Sequence, residues 1–396
     1  MDAMQRVGFL FNHDQIHQVA HSLPIAMSLA QQAPELTVVL ATTNRRLRAE
    51  VLRLAGGELP PQVELVSLDR GRSLSRRAMK LLYPVLPLGK LAVYGENLDF
   101  FRTLDVLVVA EKTSLLLKTR YGLEDLRIVH TRHGAGDRAI GFDPASARFD
   151  HVLASGRKIA DRLIVEAGVD PSAISIVGYP KFDIVPPPKR LPFQANGKPT
   201  VLYNPHVSPH LSSWYAQGRA VLAYFRDNPD YNLIFAPHVM LFARPLTVTI
   251  DKLRIAAPGR IDRSILSAPN IHVDLGGPAC TDMTYTNAAD IYLGDASSQV
   301  YEFLRQPRPC IFLDAHQQAW EDDPNFAHWK SGAVITQAAE LDAALRDAAQ
   351  AHADYLPIQQ DMFAYSFDLT GERSCDRAAR AVRQFASGGA DTLLAA

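Results

Sequence analysis

Short apolar runs alternate along the chain with segments whose apolar residues recur every three or four positions. Runs that are apolar throughout predict strands buried on both faces, and the helical spacing between them predicts crossover connections. Such alternation indicates an α/β fold with a parallel sheet. In the first half, helices are predicted over residues 20–33 and 45–55, and strands over 7–11, 36–41, 63–68, 105–110, 127–131, 151–155 and 174–178.

The same pattern returns after a proline-rich segment. Residues 185–199, VPPPKRLPFQANGKP, contain five prolines, which exclude a helix or a central strand and indicate a stiff linker. The runs TVLYNP, NLIFAP, NIHVDL, DIYLGD, PCIFLD and AVIT then predict a second sheet. We therefore predict two doubly wound α/β domains, over residues 1–185 and 200–370, with a linker over 186–199 and a C-terminal helix and tail over 371–396.

Composition, charge and missing motifs exclude several functional classes. The net charge is −1, from 41 basic and 42 acidic residues, so a global attraction to nucleic acid is absent. Three isolated cysteines argue against a disulfide framework and a zinc ribbon. Without a long apolar run or a signal-peptide pattern, the expected location is the cytoplasm. Dinucleotide, P-loop, α/β-hydrolase and HExxH metal motifs are all missing.

One candidate for acid–base chemistry follows the strand at 127–131. His133 stands at its carboxyl end and is followed by Gly134, Ala135 and Gly136, where the backbone can turn sharply. An imidazole at a strand end can face a ligand and take a proton from an attacking hydroxyl. A turn histidine that caps a helix explains the same residues, and both interpretations stay open.

A second strand-end histidine occupies the corresponding place in the second domain. The run NLIFAP ends at Pro237 and is followed by His238. This imidazole can bind a phosphate or stabilise a leaving group. A buried histidine held by a backbone carbonyl is the alternative.

The stretch DIYLGDASSQVYEFL predicts a strand that turns into a helix through Asp295, Ala296, Ser297 and Ser298. Serine at the start of a helix presents a hydroxyl beside amides that lack intrahelical partners, and this combination binds anions. Glu302, one turn later, is placed to reach ribose hydroxyls. An ordinary helix cap explains the same serines.

Taken in order, five segments resemble the CDP-glycerol glycerophosphotransferase family, which builds teichoic-acid-type polymers. The similarity covers roughly residues 127–340. The segments are HGAGDRAIGFD (133–143), VGYPKFD (177–183), TVLYNP (200–205), APH (236–238) and YTNAADIYLGDASSQVYEFL (285–304).

The sequence departs from the family's motifs at several positions. Asn204-Pro205-His206 stands in place of Thr-Trp-Arg, and Lys181-Phe182 replaces Arg-Asn. Ala296 replaces the usual Tyr, and Val239 follows His238 where Pro is usual. These differences bear on the acceptor and on glycerol as the transferred group.

The resemblance implies a GT-B fold, with two Rossmann-like domains facing a cleft and the donor nucleotide bound mainly by the second. It implies attack of an acceptor hydroxyl on the β-phosphorus of a CDP-glycerol-like donor. His133 would be the general base. His238 as an imidazolium, together with the Ser297 and Ser298 hydroxyls and the helix amides, would neutralise the leaving phosphate. Because these groups can do so without a divalent ion, we expect neither a cofactor nor an obligatory metal. Nucleotide contacts are expected from Tyr203, Asn204, Asp295, Ser297, Ser298 and Glu302, with Gly134 and Lys181 supporting the cleft.

Three other functions fit the same pattern. One is a GT-B sialyltransferase-like enzyme that uses a CMP-sugar. Another is a UDP-N-acetylglucosamine 2-epimerase-like enzyme, whose chemistry needs carboxylates such as Asp137, Asp143 and Glu111. The third is a catalytically silent protein that binds nucleotide sugars.

A local basic segment raises the question of membrane contact. Residues 70–95 contain six basic side chains and no acidic one, and Leu74, Ala78, Leu81 and Leu82 share one helical face. A basic amphipathic helix can lie on an anionic leaflet, so residues 70–90 predict peripheral contact with the inner face of the cytoplasmic membrane. The acceptor would then be a lipid-linked or cell-envelope glycan. A helix packed on its own sheet explains the same segment.

Overall fold

The computed structural model describes residues 4–12, 16–68, 88–132, 134–249 and 254–388. It divides into two compact units. The first contains Met1–His133, Phe142–Ile184 and Tyr365–Ala396, and the second contains Gly134–Gly141 and Val185–Ala364.

A parallel sheet of seven strands forms the centre of the first unit, in the order β3-β2-β1-β4-β5-β6-β7. The order reverses between β1 and β4, as in doubly wound dinucleotide-type domains. The strands are β1 (Arg6–Phe11), β2 (Thr37–Thr42), β3 (Val63–Ser67), β4 (Val106–Val109), β5 (Arg127–His130), β6 (His151–Ala154) and β7 (Ile174–Ile176).

Helices cover both faces of this sheet, and alternate residues of β1 pack on opposite sides of it. Val7 and Phe9 pack in one buried cluster with Leu29 and Val382, which lie on helices of the first and last parts of the chain. Leu10 belongs to a separate buried cluster on the other face. The helices of the unit are α1 (Val19–Gln32), α2 (Arg45–Leu54), α3 (Leu88–Glu96), α4 (Leu98–Phe101), α5 (Leu116–Thr119) and α6 (Arg157–Ala167).

The second unit contains a six-stranded parallel sheet in the order β12-β9-β8-β13-β14-β15, and a separate antiparallel pair, β10-β11. Its order reverses between β8 and β13. The strands are β8 (Thr200–Asn204), β9 (Asn232–Phe235), β10 (Thr247–Thr249), β11 (Arg254–Ala256), β12 (Ile271–Val273), β13 (Ile291–Gly294), β14 (Cys310–Leu313) and β15 (Ala333–Ile335).

One face of the second sheet packs against helices through an aliphatic and aromatic cluster that includes Val201, Tyr203, Phe225 and Leu345. Leu202 and Tyr292, whose side chains point the other way, are buried as well. The remaining helices are α7 (Arg219–Asp227), α8 (Arg263–Leu266), α9 (Thr284–Ala288), α10 (Gln299–Phe303), α11 (Leu341–Ser366) and α12 (Ser374–Ala386).

The units divide the chain differently from the predicted domain boundaries. The C-terminal segment returns to the first unit, where Ser155 Oγ donates to Ser366 O (2.9 Å) and Tyr179 N donates to Ser374 Oγ (2.9 Å). Gly156 allows this approach, since a Cβ there would lie 2.6 Å from the Ser366 carbonyl oxygen. Residues 134–141, conversely, belong to the second unit. The boundaries depend on contacts between residues that are far apart in the sequence, so local composition does not reveal them.

Every predicted strand is present in one of the two parallel sheets, with each end within one or two residues of its predicted position. The linker contains a short 3₁₀ turn, Pro192–Asn196, in which Gln194 is buried. Residues 70–87 of the basic segment lie outside the described residues. At the described end of that segment, Lys90 pairs with Glu111. Within the described parts of the chain, no helix is both long and apolar enough to cross a membrane.

Candidate functional site

The carboxyl ends of β8 and β13 lie side by side at the point where the strand order of the second unit reverses. Asn204 at the end of β8 pairs in register with Gly294 at the end of β13. Ligands of open α/β sheets bind outside the carboxyl ends of strands at such a point. The residues that follow the two strands, Pro205 and His206 on one side and Asp295 on the other, therefore form the candidate site.

The buried Asp295 carboxylate, at the end of β13, connects the two strand ends by accepting hydrogen bonds from residues that follow β8. It is 1% exposed and accepts from His206 N (2.8 Å), Ser213 N (2.6 Å) and Ser213 Oγ (2.8 Å). Burial raises the pKa of Asp295 above its ordinary value, while the surrounding hydrogen bonds act in the opposite direction. Its oxygens are thus engaged by the protein, which makes Asp295 an internal connection between β8 and β13.

Residues 134–141 pass close to the start of α10. A Cβ at Gly136 would lie 2.9 Å from Ser298 Cβ, and one at Gly134 would lie 3.9 Å from Ser298 Oγ. Gly134 also has a φ of +128°, which favours glycine. The two glycines of the HGAG motif therefore bring this segment within contact of the second unit's strand-to-helix turn.

A buried carboxylate anchors the same segment. Asp137 is 3% exposed and accepts from Tyr301 Oη at 2.7 and 2.8 Å, and its Oδ2 lies 2.9 Å from His328 Nδ1. The Nε2 atom of His328 is 2.8 Å from the carbonyl oxygen of Asp295, which also accepts from Trp329 Nε1 (2.9 Å). The network holds the backbone before Arg138 in a defined place.

Arg138, His206 and His238 form a basic cluster at this edge. Arg138 Nη1 is 3.1 Å from His206 Nε2, and the two imidazole rings have centroids 5.6 Å apart. Backbone bonds fix both histidines: His206 Nδ1 accepts from Ser208 N (3.0 Å), and His238 Nδ1 accepts from Met240 N (3.3 Å).

Both histidines of the basic cluster are neutral at neutral pH, which corrects the imidazolium expected at His238. Burial lowers the pKa of His206 well below its ordinary value, and the charge of Arg138 adds to this effect. Burial, with Arg138 second, lowers the pKa of His238 to about 4. The cluster thus carries one guanidinium charge together with N–H groups that can donate hydrogen bonds.

Five of the six predicted nucleotide ligands are buried, Asp295 among them. Tyr203 is completely buried with its hydroxyl 2.9 Å from Ser213 Oγ, and Asn204 Nδ2 donates to Ala236 O (2.6 Å). Glu302 is 7% exposed and Ser297 is 5% exposed. Tyr203 and Asn204 therefore have core positions with internal partners, and no exposed surface of either is available to a base.

Ser298, in contrast, is exposed at the N-cap position of α10. Its side chain forms no capping hydrogen bond to the helix, which has only five residues. Val300, Phe303 and Leu304 are fully buried, which agrees with the predicted inward face.

The remaining predicted site residues belong to the first unit. Lys181 is 5% exposed within the 3₁₀ turn Pro180–Ile184. His133 lies outside the described residues. Two carboxylates considered for epimerase chemistry are engaged in ion pairs, Glu111 with Lys90 and Asp143 with Lys112.

Sequence reasoning missed the contributions of Arg138, His206, Tyr301 and His328. The only local signal was the position of His206, which follows the end of β8 after one residue, much as His238 follows the end of β9 after two. Arg138 and His206 are 68 positions apart, and Asp137 and His328 are 191 apart, so no spacing pattern relates them. In the described part of the chain, no group of three or more His, Cys, Asp or Glu side chains is arranged to hold a metal ion.

The lowered histidine pKa values predict a loss of stability in mild acid. The unfolded chain protonates His238 near pH ~6.5, whereas the folded chain does so only near about 4, so the free energy of unfolding falls as the pH drops through this interval. One such proton sets a limit of ~1.4 kcal/mol per pH unit.

Urea unfolding at several pH values across this interval measures the effect. His238→Gln should reduce the slope of unfolding free energy against pH, and His352→Gln on α11 serves as the control. An identical slope for wild type and His238→Gln would contradict the assignment of a neutral, desolvated His238.

Comparisons with solved structures agree with this architecture. The wall teichoic acid polymerase TagF, in a variant soaked with CDPG, matches with a TM-score of 0.60 at 13% identity, covering 98% of this chain and 90% of that one. S. aureus MnaA with UDP gives 0.60 at 12% identity over 98% and 99% of the two chains. UDP-GlcNAc 2-epimerase from Neisseria meningitidis bound to UDP-GlcNAc gives 0.57 at 11% identity over 98% and 100%.

These likenesses confirm the predicted fold class, two parallel-sheet α/β domains of the GT-B type. No protein-family model matches the sequence, and a search of curated proteins found no match. At these identities the structural likeness establishes the fold.

Proposed function

We propose that the protein is a transferase that moves a glycerophosphate or sugar group from a cytidine-nucleotide donor to a hydroxyl group. The acceptor is a cell-envelope glycan or a lipid-linked molecule, and the favoured donor is CDP-glycerol-like. The donor is bound by the second unit at the carboxyl ends of β8 and β13.

The basic cluster is the observation that carries this proposal. Arg138, His206 and His238 place one positive charge and imidazole N–H groups at the topological switch point, where α/β domains bind nucleotides. The exposed Ser298 side chain lies against Gly134 and Gly136, on the same segment that carries Arg138. CDPG, UDP and UDP-GlcNAc are the ligands named for three proteins that share the fold.

In the proposed step, a substituted phosphoryl group passes from the donor to the acceptor hydroxyl. The acceptor oxygen forms a bond to the β-phosphorus of the donor while the bond from that phosphorus to the bridging oxygen breaks, and CMP leaves. His133 takes the proton of the acceptor hydroxyl. The basic cluster donates hydrogen bonds to the leaving phosphate, and its preorganised N–H groups stabilise the charge that develops there. These groups need no metal ion to do so.

The state of the carboxylates favours a transferase over an epimerase. Asp137 is held by Tyr301 and His328, while Glu111 and Asp143 are held by lysines. An acid–base pair for removal of a carbon-bound proton needs carboxylates that face the substrate. Cytidine is preferred to uridine because of the sequence resemblance described above.

Donor turnover tests the proposal directly. The purified protein is incubated separately with CDP-glycerol, CMP-sialic acid and UDP-GlcNAc, with a membrane lipid extract as the acceptor source. Release of CMP from CDP-glycerol is the expected result. CMP release only from CMP-sialic acid would indicate the sialyltransferase-like function, conversion of UDP-GlcNAc to its epimer would indicate the epimerase-like one, and binding without turnover a silent protein.

We expect Ser297→Ala/Ser298→Ala to weaken CDP binding. Each hydrogen bond lost from a charged phosphate costs ~1.5–3 kcal/mol, and the exposed Ser298 should account for most of the loss. Calorimetry of CDP binding to the double variant and to each single variant measures this.

The two single variants distinguish the contributions of the two serines to CDP binding. Ser297 is buried and its Oγ accepts from Gln299 N (3.4 Å), so Ser297→Ala alone should change CDP affinity little. Unchanged affinity in the double variant would move the phosphates away from the start of α10.

A further inference from the structure

One 3₁₀ turn of the second unit, Pro324–Ser331, contacts the segment that carries Arg138 at two points, and we call it the clamp turn. The first contact is a hydrogen bond to the backbone, in which Ala139 N donates to Asn325 Oδ1 at 2.6 Å. The Asn325 side chain is itself fixed, because its Nδ2 atom donates to Asp323 Oδ1 at 2.7 Å. Its amide oxygen is thus held towards the residue that follows Arg138.

The second contact lies on the other side of Arg138 and uses both nitrogens of a buried histidine. His328 Nδ1 is 2.9 Å from Asp137 Oδ2, and His328 Nε2 is 2.8 Å from the carbonyl oxygen of Asp295. Both ring nitrogens therefore face oxygen atoms. A carbonyl oxygen and an ionised carboxylate only accept hydrogen bonds, whereas a neutral imidazole has a single N–H group.

The surroundings of Asp137 favour its ionised form. Its two oxygens accept from Tyr301 Oη at 2.7 and 2.8 Å, in addition to the contact with His328. Hydrogen bonds to a carboxylate stabilise its charge, and a buried charge needs a partner of opposite sign. His328, which is 3% exposed, supplies that partner as an imidazolium with one proton on each nitrogen.

Aromatic rings shield this ion pair from solvent. The ring centroids of Phe312 and Trp329 lie 5.5 and 6.3 Å from that of His328, and both side chains are buried. A hydrogen-bonded ion pair in such surroundings has a fixed geometry, because water does not compete for its donors. The carboxylate of Asp137 is therefore held at a defined point of the clamp turn.

We infer that the clamp turn positions Arg138 for its ligand, through the His328–Asp137 ion pair on one side and Asn325 on the other. His328 and Asn325 are positioning residues, since they contact the segment and not the donor. The inference deepens the proposed function and rests on it for the ligand, a cytidine nucleotide whose phosphate Arg138 contacts. The ion pair itself does not depend on that function.

Nuclear magnetic resonance of the full chain with ¹⁵N-labelled histidine tests the ion pair. At neutral pH and without ligand, the His328 ring should show a proton on each nitrogen. In Asp137→Asn the ring should become neutral, because the amide that replaces the carboxylate can donate to Nδ1. A neutral His328 ring in the wild-type protein would overturn the ion pair.

The same spectra report the position of Arg138 without any ligand, because its Nη1 atom lies 3.1 Å from His206 Nε2. The Nε2 resonance of His206 should shift in Asn325→Ala, which removes one side of the clamp. Asp322→Ala is the matched control, since this exposed side chain directly precedes Asp323 and is not part of the clamp turn. An unchanged His206 resonance in Asn325→Ala would count against positioning by Asn325.

Two amide variants of His328 each keep one of its two contacts. Asparagine places its amide nitrogen near the position of Nδ1 and can still donate to Asp137, whereas glutamine places it near Nε2 and can donate only to Asp295 O. His328→Gln should weaken CMP binding by about 10- to 100-fold, the worth of the charge-assisted bond that a displaced Arg138 loses. His328→Asn should keep most of the affinity.

Calorimetry with CMP and with cytidine, which has no phosphate, measures these effects. Cytidine should bind His328→Gln, His328→Asn and the wild-type protein alike. A role of His328 in core packing alone predicts the same loss in both amide variants, and that result would refute its positioning role. Full CMP affinity in His328→Gln would refute it as well.

The outcomes separate the clamp turn from the proposed function. An imidazolium at His328 and weaker CMP binding in His328→Gln, without turnover of any donor, would support the clamp turn and count against the transferase. Turnover of CDP-glycerol together with a neutral His328 ring and unchanged CMP binding would support the transferase and reject the clamp turn. The wild-type resonances and Asn325→Ala decide the matter if His328→Gln does not fold.

Discussion

His133→Ala is expected to lower donor turnover by about 10²- to 10⁴-fold, the usual contribution of a general base. The sequence places this imidazole at the carboxyl end of β5, directly before the glycines that bring residues 134–141 to Ser298. Because a base acts on the acceptor hydroxyl, the loss should appear in kcat while the donor Kd barely changes. Steady-state kinetics with the active donor, together with calorimetry of CDP binding, measure the two quantities.

A second histidine variant controls for nonspecific effects. His352→Ala, on α11 and partly exposed, should turn over the donor at the wild-type rate. His133→Gln should be as inactive as His133→Ala, because an amide cannot accept the proton. A collapse of donor binding in His133→Ala would make this residue a nucleotide ligand and would remove its assignment as base.

Asp295→Ala is expected to lower the free energy of unfolding by about 3–5 kcal/mol, because each buried donor that loses its acceptor costs ~1–3 kcal/mol. The substitution leaves the buried amides of His206 and Ser213 and the Ser213 hydroxyl without their acceptor. The strand ends on either side of the switch point would lose their internal connection. Nucleotide binding should weaken together with stability.

Tryptophan fluorescence during urea unfolding reports this change selectively. All three tryptophans, Trp214, Trp320 and Trp329, belong to the second unit. Asp295→Asn should have an intermediate effect, since its amide oxygen still accepts, and exposed Asp322→Ala should change stability by no more than ~0.5 kcal/mol. A similarly small change in Asp295→Ala would show that Asp295 does not hold the two strand ends together.

The strand segments could be predicted from sequence because burial on both faces of a strand requires consecutive apolar residues. A fully buried strand such as β4 needs consecutive apolar residues, and VLVV at 106–109 shows them directly. Residues at strand ends could be found in the same way, since they directly follow each apolar run. His206, His238 and Asp295 all stand at such places.

Which of these strand-end side chains face a ligand was decided only by tertiary structure. Tyr203 and Asn204 occupy a strand end, yet Ser213 and Ala236 bind them inside the core. Asp295 likewise uses its carboxylate to hold His206 N and Ser213. The partner of a buried polar group is set by chain segments that meet in space, so its local sequence does not identify it.

The sequence by itself determined two parallel sheets, the approximate position of the linker and the strand ends where chemistry can occur, because each depends on the burial pattern of neighbouring residues. Only the tertiary structure decided that residues 134–141 join the second unit and bring Arg138 to His206. These two side chains are 68 positions apart. Their approach depends on the buried Asp137, Tyr301 and His328 network, and on a glycine at 136 that permits contact with Ser298.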